Sequence, residues 1–260
     1  MPFTGAHPLA ITPLVRLRWL DPTSLAIGSM APDFQYFLYG HEKGFIGHSM
    51  LGLVVWCVPV VVIVGLLFHH VVKWPLLVAA PRAVSSRLAA SAAKGWPIRP
   101  IAIFVSAVIG GATHDLWDSC THSQGFVVQR FPGLLRKMID VPGLDQPMIL
   151  HRVLQYVCSL IGVIVVGIML WRAVRRRPAQ ALPELPRWRA RLVLLASAAI
   201  GTLLVGVVVH RFLIGPSEIV VAVISGSIYG VIGGGLVLWD AGLRARSVSG
   251  GRDTTSAWPA

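Results

Sequence analysis

An all-α, polytopic membrane helix bundle of about five transmembrane helices, preceded by an N-terminal helical or re-entrant region, is the fold class that three features of the chain predict. Of the 260 residues, 55% are hydrophobic and only 13% are charged. With a mean hydropathy of +0.69, the chain is too apolar for an ordinary soluble domain of this length. Five apolar runs approach the roughly 20 residues that a helix needs to cross about 30 Å of hydrocarbon. The basic residues behind the net charge of +12 gather in a few connecting segments. They do not line one face interleaved with aromatics, so no nucleic-acid partner is expected, and a basic surface beside a membrane accounts for them.

In chain order, residues 1–47 are moderately apolar and interrupted by Pro2, Pro8, Pro13, Pro22 and Pro32. Prolines at this density predict short helices or a re-entrant segment rather than one clean span. The first span is expected at residues 51–68, with a kink at Pro59. Residues 69–100 carry Lys73, Arg82, Arg87, Lys94 and Arg99 and read as a basic connection whose Ala/Ser-rich middle forms a surface helix. The second span is expected at residues 101–117. A loop over 118–152, rich in Gly and Pro, is long enough to act as a lid or an interfacial excursion, and a third span follows at 153–171. Residues 172–191 hold seven arginines and three prolines and predict a solvated loop. The closing pair of spans covers 192–209 and 219–239. In it Gly226, Gly230 and Gly234 recur every fourth residue, a stripe that lets membrane helices approach closely.

Residues 1–245 thus read as one transmembrane domain, and the Ser/Gly/Thr-rich residues 246–260 as a disordered polar tail. Cys57, Cys120 and Cys158 are odd in number and imply no disulfide framework. The N-terminus lacks the pattern of a removable signal peptide, so the mature chain is expected to start near Met1. The five spans do not divide into matching halves, which argues against a transporter built on inverted repeats.

Alternate connections lie on opposite sides of a membrane, and one side then receives 15 of the 23 Lys and Arg residues. The positive-inside rule places that side, with the arginine-rich loop, in the cytoplasm. His7, Asp33, His41, His48, His114, Asp115, Asp118, His122, His151 and His210 then fall at or near the outer face, and only His69 and His70 fall inside. A shared polar site near the outer leaflet follows.

Its anchor is the run Thr113-His114-Asp115-Leu116-Trp117-Asp118-Ser119-Cys120-Thr121-His122. On a helix His114 and Asp118 lie one turn apart on one face, and His122 falls roughly 80° round from His114. Intramembrane acids are costly and tend to be paired or functional. Imidazole with carboxylate is the ligand set of a catalytic zinc or similar divalent ion, which keeps a position open for water. His7, Asp33, His48, His114, Asp118 and His122 are the expected ligands. Asp115 is the expected catalytic residue, as general base or as the partner that orients a ligating histidine. His41, His151 and His210 read as interfacial or structural. Trp56, Trp74, Trp117, Trp171 and Trp239 read as an aromatic belt.

Phe3-Thr4 with His7-Pro8, Gly28 to Phe34, Gly47-His48-Ser49, and Thr113 to Asp118 with Thr121-His122 carry a resemblance. They look like an uncharacterised bacterial integral-membrane family known as a domain of unknown function. That family is similar to bacterial membrane-bound metal-dependent hydrolases and, more distantly, to zinc-dependent phospholipase C. The resemblance covers most of residues 1–175. It implies that His48, His114 and Asp118 match the hydrolases' histidine and aspartate pattern, with His7 and Asp33 matching more loosely. Gly47 stands where those relatives have threonine, and the N-terminal tryptophan of the secreted zinc phospholipases is missing, so no three-zinc site is implied. The resemblance implies a zinc-dependent hydrolase of the bacterial inner membrane acting on a lipid-like or phosphoester substrate. A non-enzymatic protein that binds metal for structure or transport is the alternative.

Overall fold

The computed structural model describes residues 3–41, 46–143, 146–180, 187–210 and 215–239. The tail expected to be disordered, 246–260, lies outside them. The N-terminal region is broken into short pieces: 3₁₀ turns at Thr4–Leu9 and Leu14–Arg16, α1 (Pro22–Gly28), a 3₁₀ turn at Ala31–Asp33, α2 (Phe34–Tyr39) and a 3₁₀ turn at Ile46–His48. α3 (Val58–Leu67) and α4 (Lys73–Ala79) follow, then α5 (Arg82–Ala93), α6 (Pro100–Thr121), α7 (Phe126–Arg130) and α8 (Pro132–Leu135). The two-residue strands β1 (Met138–Ile139) and β2 (Met148–Ile149) pair antiparallel, and α9 (Leu150–Arg175), α10 (Arg187–Val209) and α11 (Pro216–Val237) complete the chain.

Among the described residues, five helices are long and apolar enough to cross a membrane: Leu53–Ala79, Pro100–Arg130, Leu150–Arg175, Arg187–Val209 and Pro216–Val237. Leu160, Leu195, Leu203 and Val208 stand exposed along two of them. Apolar surface on this scale is what lipid covers in an integral membrane protein, and it has no place in water.

Two expectations are corrected. The first span does not end at residue 68, and residues 69–79 are helix rather than connection. π-helical turns at Leu53–Cys57 and Phe68–Val72 lie just upstream of Pro59 and Pro75. The wider turn absorbs the clash and the missing N–H of each proline, so the helix continues. Lys73 turns its amine to the Lys94 carbonyl oxygen, 3.3 Å away. The expected long loop 118–152 likewise contains α7, α8 and the small hairpin, which leave it little slack.

The chain forms two compact units. The first comprises Met1–Gln35, Gly44–Ile63 and Arg99–Met169. α1 starts at Asp21, whose carboxylate accepts from the Ser24 amide at 2.7 Å, with Pro22 in the first turn. The Asp21 amide in turn donates to Ser106 Oγ at 2.8 Å and fastens α1 to α6. The two backbones meet at glycines: a Cβ on Gly110 would lie 2.7 Å from the Leu25 carbonyl oxygen, and one on Gly28 would lie 2.9 Å from that of Ala107. Ile11, Leu20 and Leu25 pack with Leu14, Val105 and Ile109 beside this crossing. Gly111 admits Leu53 and Cys57 to α6, and the Trp56 indole donates to the Ala31 carbonyl at 3.0 Å.

The second unit comprises Tyr36–Lys43, Val64–Ile98 and Leu170–Ala260. α10 and α11 pack backbone to backbone, with Gly226 against Thr202 and Gly230 against Ser197 and Ala198, so the glycine stripe serves close approach. Trp74, Leu77, Val78, Ala92 and Ala190 form a core cluster there. Trp74 is therefore a core residue and not part of an aromatic belt.

Candidate metal centre

Six side chains of the first unit converge on the C-terminal half of α6. His114 and Asp118 project from it one turn apart, 3.3 Å between Nε2 and Oδ2. The Ser29 carbonyl lies 2.9 Å from His114 Nδ1 and can only accept, so Nδ1 carries a proton and Nε2 turns inward towards the Asp33 and Asp118 carboxylates. Ser29 reaches that spot because the glycine crossing brings the end of α1 onto α6.

The turn Ala31–Asp33 aims Asp33 at the same point: its Oδ1 is 3.6 Å from His114 Nε2 and 3.5 Å from His48 Nε2. Thr4 donates to its other oxygen at 2.6 Å. His48 sits on the turn before the first span, where Gly47 packs against the Pro32 backbone. The far nitrogen of His48, Nδ1, lies 3.2 Å from Asp115 Oδ1. The His7 ring stacks on that of His114, centroids 3.8 Å apart and planes 20° apart, with Nε2 3.6 Å from Asp118 Oδ1.

Two groups offer ligand atoms that all lie within 4.8 Å of one another: His7, Asp33 and His114, and His48, His114 and Asp118. They share His114 and so form one centre. His122 joins from the edge: its Nδ1 is 3.4 Å from Asp118 Oδ2, while Gln155 approaches its Nε2 at 3.1 Å. His41 and His210 belong to the second unit. His151 turns to the Thr121 carbonyl, 3.4 Å away.

His7 Nδ1, His7 Nε2, His114 Nε2 and Asp118 Oδ1 are buried without a hydrogen-bond partner. Each such atom costs about 1–3 kcal/mol, and a cation bound by one nitrogen of the His7 ring, His114 Nε2 and Asp118 Oδ1 would offset that cost. Burial, aided by the neighbouring His114, lowers the His7 pKa to about 4 and keeps the ring neutral, the form that ligates. Burial opposes the Asp33 charge, but hydrogen bonds from His114 and His48 outweigh it and hold the carboxyl below its usual range. Burial also opposes the His48 cation, yet Asp115 and Asp33 push its pKa up to about 9.

The family model described as Domain of unknown function (DUF4184) matches residues 1–239. The chain belongs to the DUF4184 family. All the converging residues of this DUF4184 protein fall inside the matched stretch. No curated protein and no solved structure matches the chain.

Sequence reasoning missed Thr4, Gln155 and the Ser29 carbonyl. Thr4 and Ser29 stood among the residues of the resemblance, but as small polar residues in a broken segment they gave no sign of these contacts. Gln155 left one: His151, Gln155 and Ser159 are buried on α9 at intervals of four, a polar stripe in an apolar helix. Trp117, expected in a belt, packs its ring 5.7 Å from that of His7 and walls the centre. Thr4→Val removes the hydroxyl while keeping the shape. It is expected to weaken divalent-metal binding about 10- to 100-fold, as loss of a ligand's supporting hydrogen bond does, in a titration against a chromophoric chelator.

Proposed function

We propose that this DUF4184 chain is a divalent-metal-dependent hydrolase of the bacterial inner membrane. Zinc is the metal, the centre faces the periplasm or exterior, and the substrate is lipid-like or a phosphoester. The observation that carries the metal is the two sets of imidazole nitrogens and carboxylate oxygens, each within 4.8 Å and sharing His114, with several of these atoms buried and without a hydrogen-bond partner. A donor set of nitrogen and oxygen without thiolate suits a catalytic zinc or a similar ion. The distribution of Lys and Arg supports the orientation. The likeness of the histidine and aspartate pattern to that of the membrane-bound hydrolases supports the reaction class.

His7, Asp33, His48, His114 and Asp118 would hold the ion. When bound, it would polarise a phosphoryl or carbonyl oxygen and lower the pKa of water towards about 7. His114 keeps its proton on Nδ1 against Ser29, and Asp33 stays charged under the Thr4 hydroxyl. The centre is open on one side, where the His48 and Asp115 side chains are 24% and 27% exposed. That exposure supports Asp115 as the group that takes a proton from a molecule arriving there.

The complete burial of His114, 0% exposed, beside His7 at 1% and Asp33 at 2% favours a second reading, a metal held for structure or transport without catalysis. Elemental analysis and head-group release from mixed bacterial lipids separate the two. The hydrolase reading expects near-stoichiometric metal, turnover by the wild type, and an Asp115→Asn variant that keeps most of its metal but loses turnover. Metal without turnover in the wild type would leave the second reading, and well-folded protein without metal would sink both.

A further inference from the structure

A groove in the second unit carries the inference. Ala83 and Arg87 of α5 and Trp171, Val174 and Arg175 at the end of α9 enclose about 280 Å³ between an apolar floor and two guanidinium groups. Arg87 is anchored to the end of α9 by donating to the Arg175 carbonyl at 3.1 Å and to that of Arg177. Arg177 donates to Ser91 on α5. The Arg175 guanidinium lies 5.6 Å from the centroid of the Trp171 ring, within cation–π range. No acidic residue occurs between positions 43 and 114, and Glu184 is the single one between 146 and 217, so the sequence supplies little to neutralise the groove.

We propose that this groove binds one anionic phospholipid, its phosphate between Arg87 and Arg175 and an acyl chain along Ala83, Trp171 and Val174. Charge complementarity chooses the occupant. Two guanidiniums fit the oxygens of a phosphodiester, and the apolar floor and interfacial tryptophan suit the glycerol and chain that a free phosphate lacks. The groove lies at the C-terminal end of α9, one of the helices long and apolar enough to cross a membrane. The proposal does not depend on the metal reading.

The test is native mass spectrometry of the detergent-purified full chain with equimolar phosphatidylglycerol and phosphatidylcholine, with and without excess inorganic phosphate. One retained phosphatidylglycerol, undisturbed by phosphate, is expected. Arg175→Gln should lower its occupancy about fivefold, the usual worth of one arginine near an anionic surface. Ala83→Trp should fill the groove and expel the lipid while keeping every charge. Arg176→Gln, outside the groove with the same charge change, should retain it. Equal retention of phosphatidylcholine, displacement by phosphate, an unaffected Ala83→Trp variant, or equal losses in Arg176→Gln and Arg175→Gln would each overturn the proposal, the last by reducing it to a diffuse basic surface.

Discussion

Purified His114→Ala protein is expected to bind divalent metal more than about 100-fold more weakly than the wild type, and to lose it in a desalting step that the wild type survives. The effect should exceed that of any single supporting group, whose loss costs about 10- to 100-fold. His114 is the residue common to both ligand groups, and its Nε2 is aimed by the Ser29 carbonyl. Alanine deletes the shared ligand and frees the His7 ring from its stacking partner. Plasma emission spectrometry of matched preparations reads the loss, and circular dichroism checks that the helices persist. Metal content equal to the wild type would place the ion elsewhere. Loading of the wild type should also fall as pH is lowered, because imidazole ligates only without the proton on its ligating nitrogen.

The second large effect belongs to Gly110. A Cβ there would fall 2.7 Å from both the Leu25 carbonyl oxygen and the Ser29 amide nitrogen, and 2.8 Å from the Gly28 carbonyl carbon. These are backbone atoms of a packed helix and cannot swing aside as a side chain would. Gly110→Val is expected to destabilise the protein by about 3 kcal/mol, the upper range for overpacking. It should also move Ser29 off His114 and so weaken metal binding, although residue 110 is no ligand. Thermal unfolding in detergent measures the first consequence and chelator titration the second. Gly233→Ala is the control: nothing lies within 4 Å of a Cβ there, so stability should hold.

The spans were legible because burial in lipid imposes a composition that needs no partner to be recognised. The stop at residue 68 was misplaced because Lys73 and the basic residues after it read as a connection, whereas π turns ahead of Pro59 and Pro75 let the helix run to Ala79. His114 and Asp118 were readable as a pair because helical spacing is local. Trp74 and Trp117 were misassigned because an indole near the end of a span has the same local sequence whether it faces lipid, packs in a core or walls a polar centre.

By itself the sequence determined that this is a helical membrane protein and, through one helical turn, that His114 and Asp118 share a face. Those are consequences of composition and of a fixed 3.6-residue period. Only the tertiary structure decided that His7, Asp33 and His48, scattered over the broken N-terminal third, reach α6. It also decided that Thr4 and Ser29 aim two of the converging groups, and that Asp115 grips His48 from outside. Those contacts depend on α1 crossing α6 at Gly28 and Gly110, a close approach between residues some eighty positions apart that no local period encodes.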